Sequence, residues 1–249
     1  VLPIAALLRL HVDGGDPLFG ARFLTYAWNS FRLAGLAALL VVTVAALIAY
    51  AQRLSPGPVT MAATRIAAIG YAVPGTVIAV GILMPLGAFD AWVDASMRSM
   101  FGWSTGLVLS GTVIALLYAY LVRFLAVALG PVESGLHKIP GSLDAAARTL
   151  GATTAEIARS IHAPLLRRSL LTAGLVAFVD VLKELPATII VRPFNFDTLA
   201  VRVYSLASDE RLAQASTGSL VIVAIGLIPV ILITRMIARE RANAGRAAS

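Results

Sequence analysis

The chain has 249 residues, of which 59% are hydrophobic and 13% are charged, and its formal net charge is +7. Soluble domains average about 25% charged residues, so this composition is typical of a membrane protein, and the basic excess indicates membrane orientation rather than a nucleic-acid partner. The absence of cysteine excludes disulfides, thiolate metal sites and a cysteine nucleophile.

Five apolar stretches have about the 20 residues that a helix needs to cross a bilayer. They are residues 33–52, 66–89, 99–122, 169–191 and 212–234. Residues 1–10 are equally apolar but shorter, and without a signal-peptide pattern they are interpreted as the end of a span whose beginning is missing. We therefore predict an all-α polytopic membrane protein with five full transmembrane helices and a truncated N-terminal one, forming a single domain over residues 1–249.

Lysine and arginine are distributed unequally between the two sides that these spans define. The positive-inside rule places the richer side in the cytoplasm, together with the loop 130–168 and the C-terminus. The richer side carries Arg53, Arg65, Lys138, Arg148, Arg159, Arg167, Arg168, Arg239, Arg241 and Arg246. The other side carries Arg9, Arg22, Arg98, Arg202 and Arg211.

The second predicted span contains the stretch GYAVPGTVIAVG, residues 70–81. Pro74 removes one backbone hydrogen bond, so we expect a kink there. Such a break is tolerated in a membrane where it lines a cavity or packs against other helices. Either Tyr71 and Pro74 line a translocation path, or the small residues around them allow close helix packing.

The loop GSLDAAARTLGATTAEIARSIHAP, residues 141–164, predicts two short helices. We expect Ser142 to cap the first helix and Gly151 to end it in a left-handed conformation. Thr153 and Glu156 have the spacing of a capping box for the second helix, which Pro164 would end. An apolar or small stripe runs through both helices, at Leu143, Ala147, Leu150, Thr154, Ile157 and Ile161. A stripe this short must pack on the membrane bundle, on another protein, or on both.

This loop resembles the cytoplasmic motif of binding-protein-dependent ABC importer permeases, written E-A-A, three residues, G, nine residues, I-x-L-P. The matching positions are Ala146, Ala147, Gly151, Ile161 and Pro164, whereas Ala145 and Ala163 replace the family's glutamate and leucine. Residues 71–87, 119–130 and 178–215 further resemble the membrane subunit of ferric-iron importers. In that family two homologous permease halves are often fused, and this chain looks like the second half.

The resemblance implies a type I ABC importer permease in the bacterial inner membrane that carries ferric iron by alternating access. Its partners would be ATP-binding cassette ATPase subunits, the other permease half, a periplasmic substrate-binding protein and the lipid bilayer. ATP would be bound by the ATPase, and no cofactor by this chain. The loop would dock on the ATPase through Asp144, Ala145, Ala146, Ala147, Gly151, Ile161 and Pro164. Because Ala145 lacks the family's charge, we expect docking to depend on shape and on the Gly151 turn.

Two observations from the residues themselves agree with the expectation that the ATPase binds ATP and that this chain binds no cofactor. The chain has no G-x-x-x-x-G-K-[ST] phosphate loop, so we predict a transport subunit that is not an enzyme. The histidines His11, His137 and His162 fall on different segments and form no metal cluster, so any metal ligands stay unknown.

Asp180, Lys183 and Glu184 lie within one helical turn of an otherwise apolar span, which Pro186 interrupts. A charge in the bilayer costs about 2.5–3.5 kcal/mol, so such residues pair and face the bundle interior. They are either residues of the translocation path or a structural ion pair that joins this helix to Arg123 or another span.

Alternative functions stay open at this point. One half of a permease does not reveal its cargo, so thiamine, a polyamine or an oxyanion could replace ferric iron. A channel without an ATPase, or an intramembrane enzyme, is a second alternative that the loop motif disfavours.

Overall fold

The computed structural model describes residues 2–15 and 21–247, and these residues form helices and connecting turns without any strand. The all-α prediction is therefore confirmed. The helices are α1 (Leu2–Gly14), α2 (Ala21–Leu54), α3 (Pro58–Ile69), α4 (Gly75–Phe101), α5 (Val113–His137), α6 (Gly141–Thr149), α7 (Thr154–Ile157), α8 (Ala163–Leu182), α9 (Pro186–Val191), α10 (Leu199–Ser208) and α11 (Leu212–Ala247). Val1 and the side chains of Arg239, Arg241 and Arg246, which entered the predictions above, lie outside the described part.

Three helices, α2, α5 and α8, pack against one another and form the centre of the bundle. Alanine is the commonest residue on their buried faces. In lipid the hydrophobic effect does not drive helices together, so small side chains that let backbones approach closely favour their association. The buried alanines of this centre include Ala34, Ala37, Ala45, Ala115, Ala119, Ala128, Ala173 and Ala177.

Four helices in the described part of the chain are long and apolar enough to cross a membrane, namely α2, α4, α5 and α11. The fifth predicted crossing, residues 169–191, is divided between α8 and α9. The division falls at Lys183–Leu185, and Pro186 occupies the first turn of α9, where its missing N–H is not needed.

Residues 66–89 do not form a single kinked helix, so this prediction is wrong. Helix α3 ends at Ile69, a 3₁₀ turn covers Gly70–Ala72, and α4 begins only at Gly75. Val73 is extended, with φ −81° and ψ 134°, because the ring of a following proline disfavours helical backbone. Pro74 therefore separates two helices instead of bending one.

The predicted span 99–122 is also wrong in its position. Helix α4 continues to Phe101 and ends at Gly102, which has φ 73°, and α5 starts only at Val113. The uncharged run thus includes a turn-rich connection, and α5 extends past Arg123 to His137. Arg123 lies inside a membrane-spanning helix, whereas the uncharged run in the sequence predicted that a span ends just before it.

The two ends of the bundle are distinguished by side-chain contacts. At one end, Arg53 of α2 donates hydrogen bonds to the backbone carbonyls of Leu136, in the last turn of α5, and of Ile139, just after it. At the other end, Ser30 of α2 accepts a hydrogen bond from the backbone N–H of Leu199. The connection after α2 and the connection between α5 and α8 therefore share one end, as the orientation prediction requires.

Gly70 packs directly against the backbone of α5, since a Cβ at this position would lie 1.9 Å from the carbonyl oxygen of Val122. We expect Gly70→Ala to lower the free energy of unfolding by about 1–3 kcal/mol, because the two segments must separate to admit a methyl group. The measurement is the thermal stability of the detergent-solubilised protein. Gly81→Ala in α4 is the matched control, because a Cβ there meets nothing within 4 Å. Equal stability of the two variants would contradict this close approach.

Candidate functional site

The connection between α5 and α8 contains a sharp corner centred on Gly151. Gly151 has φ 84°, which confirms the predicted left-handed conformation. The Ala152 N–H donates to the Ala147 carbonyl and the Gly151 N–H to the Arg148 carbonyl, both at 3.0 Å. These two bonds form a Schellman motif, which satisfies the last carbonyls of α6 and stops the helix.

The predicted capping box at the start of α7 is confirmed. The Thr153 N–H donates to the Glu156 carboxylate at 2.7 Å, and the Glu156 N–H donates to the Thr153 hydroxyl at 3.3 Å. Hydrogen bonds from the Thr153 backbone and hydroxyl lower the pKa of the Glu156 carboxyl below its ordinary value. Hydrogen bonds thus cap the end of α6 and the start of α7, on the two sides of a four-residue corner. These caps fix the angle between the two helices.

The predicted cap of α6 is wrong. Pro140 occupies the N-cap position, α6 begins at Gly141, and no side chain caps it. Because the helix starts before Ser142, Ala145 is its fifth residue and not the third. A glutamate at position 145 would therefore not stand where a capping-box acid belongs.

The predicted end of the second helix at Pro164 is also wrong. Helix α7 passes through a π turn, Ala158–His162, directly into α8. Pro164 lies in the first turn of α8, and the wider π turn before it accommodates a residue that has no N–H to donate. The Ser160 hydroxyl donates to the Glu156 carbonyl within this turn.

The apolar stripe of the loop is buried only in part. Ala147 and Ile157 are buried, whereas Leu143 is 41% exposed and Leu150 is 87% exposed. Ala145 and Ala146 are exposed, and Ile161 is half-buried. The bundle therefore covers one edge of the helix pair and leaves its other side available to a partner.

Asp144 is the one charged residue among the predicted docking residues, and its side chain turns into the bundle. Its carboxylate accepts hydrogen bonds from Arg53 Nε at 3.1 Å, from Arg53 Nη2 at 3.2 Å and from His162 Nε2 at 2.8 Å. Burial raises the pKa of the Asp144 carboxyl, but the hydrogen bonds from His162 and Arg53 lower it more, so its pKa lies below the ordinary value. Asp144 is therefore an ionised internal group in this structure, not a free charge for a partner.

Sequence reasoning missed Arg53 and His162 as functional candidates. Arg53 was treated as an orientation signal at the end of a span, and His162 was considered only as a metal ligand. The available signal was the position of Asp144 next to the apolar stripe of a short helix, since a buried carboxylate requires a cationic partner.

A second cluster joins the two helix breaks inside the membrane region. Arg123 of α5 donates to the Glu184 carboxylate at 3.1 Å and to the Val73 carbonyl at 3.0 Å. Glu184 also accepts from the Ala187 N–H at 3.1 Å. One guanidinium thus links the break before α4 to the break before α9, and so brings together two stretches that were predicted separately as path residues.

The remaining path candidates surround this cluster. Lys183 pairs with Asp180 at 2.8 Å, as the spacing predicts, and its side chain is 61% exposed. Tyr71 is half exposed beside the first break, and Pro186 starts α9 after the second. Next to the second break, the Tyr120 hydroxyl lies 2.6 Å from the Thr188 hydroxyl in a buried contact between α5 and α9.

Among the described residues, no three side chains of His, Cys, Asp or Glu come close enough together to hold a metal ion. The described part of the chain therefore offers no preformed ligand cage for a metal.

Comparison with known proteins gives a family match over most of the chain. The family described as "Binding-protein-dependent transport system inner membrane component" matches residues 41–240. The matched region includes both helix breaks, the Gly151 corner and the Arg53–Asp144 contact.

Two similar proteins differ in the cargo for which they are named. One is the Fe(3+)-transport system permease protein FbpB 2 of Haemophilus influenzae, 26% identical over 86% of this chain and 39% of that protein. The other is named as the 2-aminoethylphosphonate transport system permease protein PhnV of Salmonella typhimurium, 28% identical over 59% of this chain and 56% of that protein. The chain thus spans less than two thirds of the length of these relatives.

Solved structures with a similar fold come from ABC transporters. A bacterial alginate ABC transporter, in complex with its alginate-bound periplasmic protein, has a TM-score of 0.67 and 13% identity over 89% of this chain and 80% of that chain. The MetNI methionine ABC transporter in an inward-facing conformation has a TM-score of 0.60 and 16% identity over 89% of this chain and 99% of that chain. At these identities the likeness concerns the fold alone.

Proposed function

The chain belongs to the family of binding-protein-dependent transport system inner membrane components, and we propose from this that it is the membrane-spanning half of an ATP-driven importer for ferric iron. A periplasmic protein delivers the cargo, a second permease half completes the path, and separate ATPase subunits bind ATP and drive alternating access. The chain itself is a multi-pass transport component. Its C-terminus and the connection between α5 and α8 face the cytoplasm.

The observation that carries this proposal is the exposed helix pair at one end of the bundle. Leu143 and Leu150 present large apolar side chains beside the exposed Ala145 and Ala146, on a corner fixed by Gly151. A helix pair that is rigidly capped and only half covered is suited to dock in a groove of a partner. We propose that this surface binds the ATPase. The binding depends on the complementary shapes of the two surfaces.

The proposed translocation path runs along the two helix breaks. Tyr71, Pro74, Asp180, Lys183, Glu184 and Pro186 form the wall along which the cargo passes. Interrupted helices at membrane depth are accommodated where they line a cavity, and charged side chains there mark ion pathways. Lys183 is the accessible charge of this wall, whereas Asp180 and Glu184 are buried and paired with Lys183 and Arg123.

Ferric iron is proposed as cargo because the relative that matches over 86% of this chain is named for Fe(3+) transport. A phosphonate is the second candidate, because the PhnV proteins match 59% of the chain at 28% identity. The two cargoes differ in charge, so one assay distinguishes them.

Docking and orientation are tested together with membrane vesicles that contain the complete permease. We expect the purified ATPase to bind inverted vesicles, which expose the cytoplasmic face, and not right-side-out vesicles. Leu150→Glu, which places a charge on the exposed apolar surface, should weaken this binding. Binding to right-side-out vesicles would reverse the orientation, and absence of binding to either would reject an ATPase-coupled transporter.

Cargo is tested in proteoliposomes that hold the complete permease with its ATPase and binding protein. We expect the loaded binding protein to stimulate ATP hydrolysis and to drive uptake of radioactive ferric iron. Uptake of 2-aminoethylphosphonate with no uptake of iron would favour the second candidate.

A further inference from the structure

Arg53 connects the helix pair to a transmembrane helix that does not flank it. Helices α5 and α8 are covalently continuous with the 138–162 connection, so a displacement of α6 reaches them through the backbone. Helix α2 has no such continuity. Near its C-terminal end it meets this connection through Arg53 and through a 3.5 Å contact from the Tyr50 hydroxyl to the Thr154 carbonyl.

The guanidinium of Arg53 is engaged on both of its edges. Nε and Nη2 donate to the two carboxylate oxygens of Asp144, and Nη1 donates to the carbonyls of Leu136 at 2.7 Å and Ile139 at 3.1 Å. The side chains of Arg53 and Asp144 are only 16% and 11% exposed. A two-pronged contact of this kind fixes direction as well as distance, which a lysine cannot do.

His162 completes the contact from the opposite side of the loop. Because an ionised carboxylate only accepts, Nε2 carries the proton that His162 donates to Asp144. Nδ1 is buried and has no partner among the described residues. The ring of Tyr50 lies edge-on to His162 with 5.5 Å between ring centroids. The π turn therefore orients His162 toward Asp144 between α2 and α6.

Apolar packing contributes little to the attachment of α6. In this nine-residue helix only Asp144 and Ala147 are buried. A methyl group of alanine offers little contact area, so the position of α6 relative to α2 depends mainly on the polar contact. When α6 is displaced, Asp144 carries Arg53 with it.

We propose that the Arg53–Asp144–His162 contact transmits the displacement of α6 to α2, so that Arg53 and His162 are positioning residues for transport. This rests on the proposed function, since α6 is displaced only when an ATPase moves it. Helix α2 packs on α5 and α8 in the centre of the bundle, so a force applied at its cytoplasmic end reaches both helix breaks. Coupling therefore depends on a side-chain contact in addition to the backbone of the loop.

The test compares cargo moved per ATP hydrolysed by the complete reconstituted transporter. We expect Arg53→Gln to lower this ratio about tenfold, within the usual range of coupling between distant sites. Arg65→Gln is the matched control, because Arg65 lies on α3 and its side chain is exposed. An equal ratio for Arg53→Gln and Arg65→Gln would overturn the proposal.

Two substitutions at His162 distinguish a role in transmission from a purely structural role. They also test the proposal if the transporter with Arg53→Gln fails to assemble. His162→Gln retains an N–H that can reach Asp144, whereas His162→Leu does not. We expect the glutamine variant to retain the ratio and the leucine variant to lose it, and the same ratio in both would overturn the proposal. If the proposed function itself is wrong, even the unmodified transporter and Arg65→Gln will show no ATP-driven uptake.

Discussion

Replacing Gly151 by valine is expected to abolish ATP-driven uptake while the transmembrane bundle still folds. The left-handed conformation at φ 84° costs an L-residue about 1–2 kcal/mol, and a β-branched side chain costs more. The chain would relieve this strain by opening the Schellman motif, and the angle between α6 and α7 would change. The measurement is uptake together with ATPase binding in reconstituted vesicles.

A matched control for this prediction is Gly81→Val. Gly81 lies within α4, where the backbone is helical and an added Cβ meets nothing within 4 Å. Valine is a better helix former than glycine, so this substitution should leave uptake unchanged. Normal uptake by Gly151→Val would show that the corner does not position the docking surface.

A substitution at Ala145, in the helix that precedes this corner, tests whether docking depends on shape or on an ion pair. Its side chain is exposed and stands at the fifth residue of α6, so Ala145→Glu adds a charge without altering a cap. If docking depends on shape, this variant should bind the ATPase as the unmodified chain does. A large gain in binding would instead indicate that a missing ion pair limits docking.

Removing Arg123 is expected to have the largest effect on stability. Arg123 and Glu184 are 17% and 6% exposed, so Arg123→Ala leaves a carboxylate buried without its cation and frees the Val73 carbonyl. Breaking a buried pair in this way costs about 3–5 kcal/mol. We expect poor recovery of folded protein and a strongly lowered apparent Tm in detergent.

Two further variants identify the cause of that loss. The double variant Arg123→Met, Glu184→Leu removes both charges and should recover much of the stability, because paired apolar replacements are often neutral. Arg98→Ala is the surface control, since Arg98 is 63% exposed and Asp94 keeps hydrogen bonds from Ser104, Thr105 and Gly106. Failure of the double variant to recover would assign the loss to packing and not to the buried charge.

Glu184→Gln then separates a role in stability from a role in transport. A glutamine oxygen can still accept from Arg123 and from the Ala187 N–H, so this variant should fold better than Arg123→Ala. If Glu184 belongs to the path, uptake will fall while ATP hydrolysis continues. Unchanged uptake would leave Glu184 as a structural partner of Arg123 only.

The local features were predictable because their physics is local. Gly151 can be assigned to a left-handed turn, and Thr153 with Glu156 to a capping box, from contacts that span no more than five residues along the chain. Hydropathy identified the apolar stretches. A run without charged residues can also contain turns, however, so α5 was predicted to start too early in the chain. The cap of α6 was missed because a proline ahead of the helix fixed its start before the serine.

The partners of the buried charges were decided by tertiary structure. Arg53 and Asp144 are 91 residues apart, and Arg123 and Glu184 are 61 residues apart. The sequence requires that each buried charge be compensated, and it offered Arg123 as one possible partner of the helix that carries Glu184. Only the packing of α2, α5 and α8 selects Arg123 for Glu184 and Arg53 for Asp144. By itself the sequence determined a helical membrane protein with a capped helix pair. The tertiary structure determined that this pair is joined to α2 and that one arginine links both helix breaks, because such contacts exist only once the helices are packed.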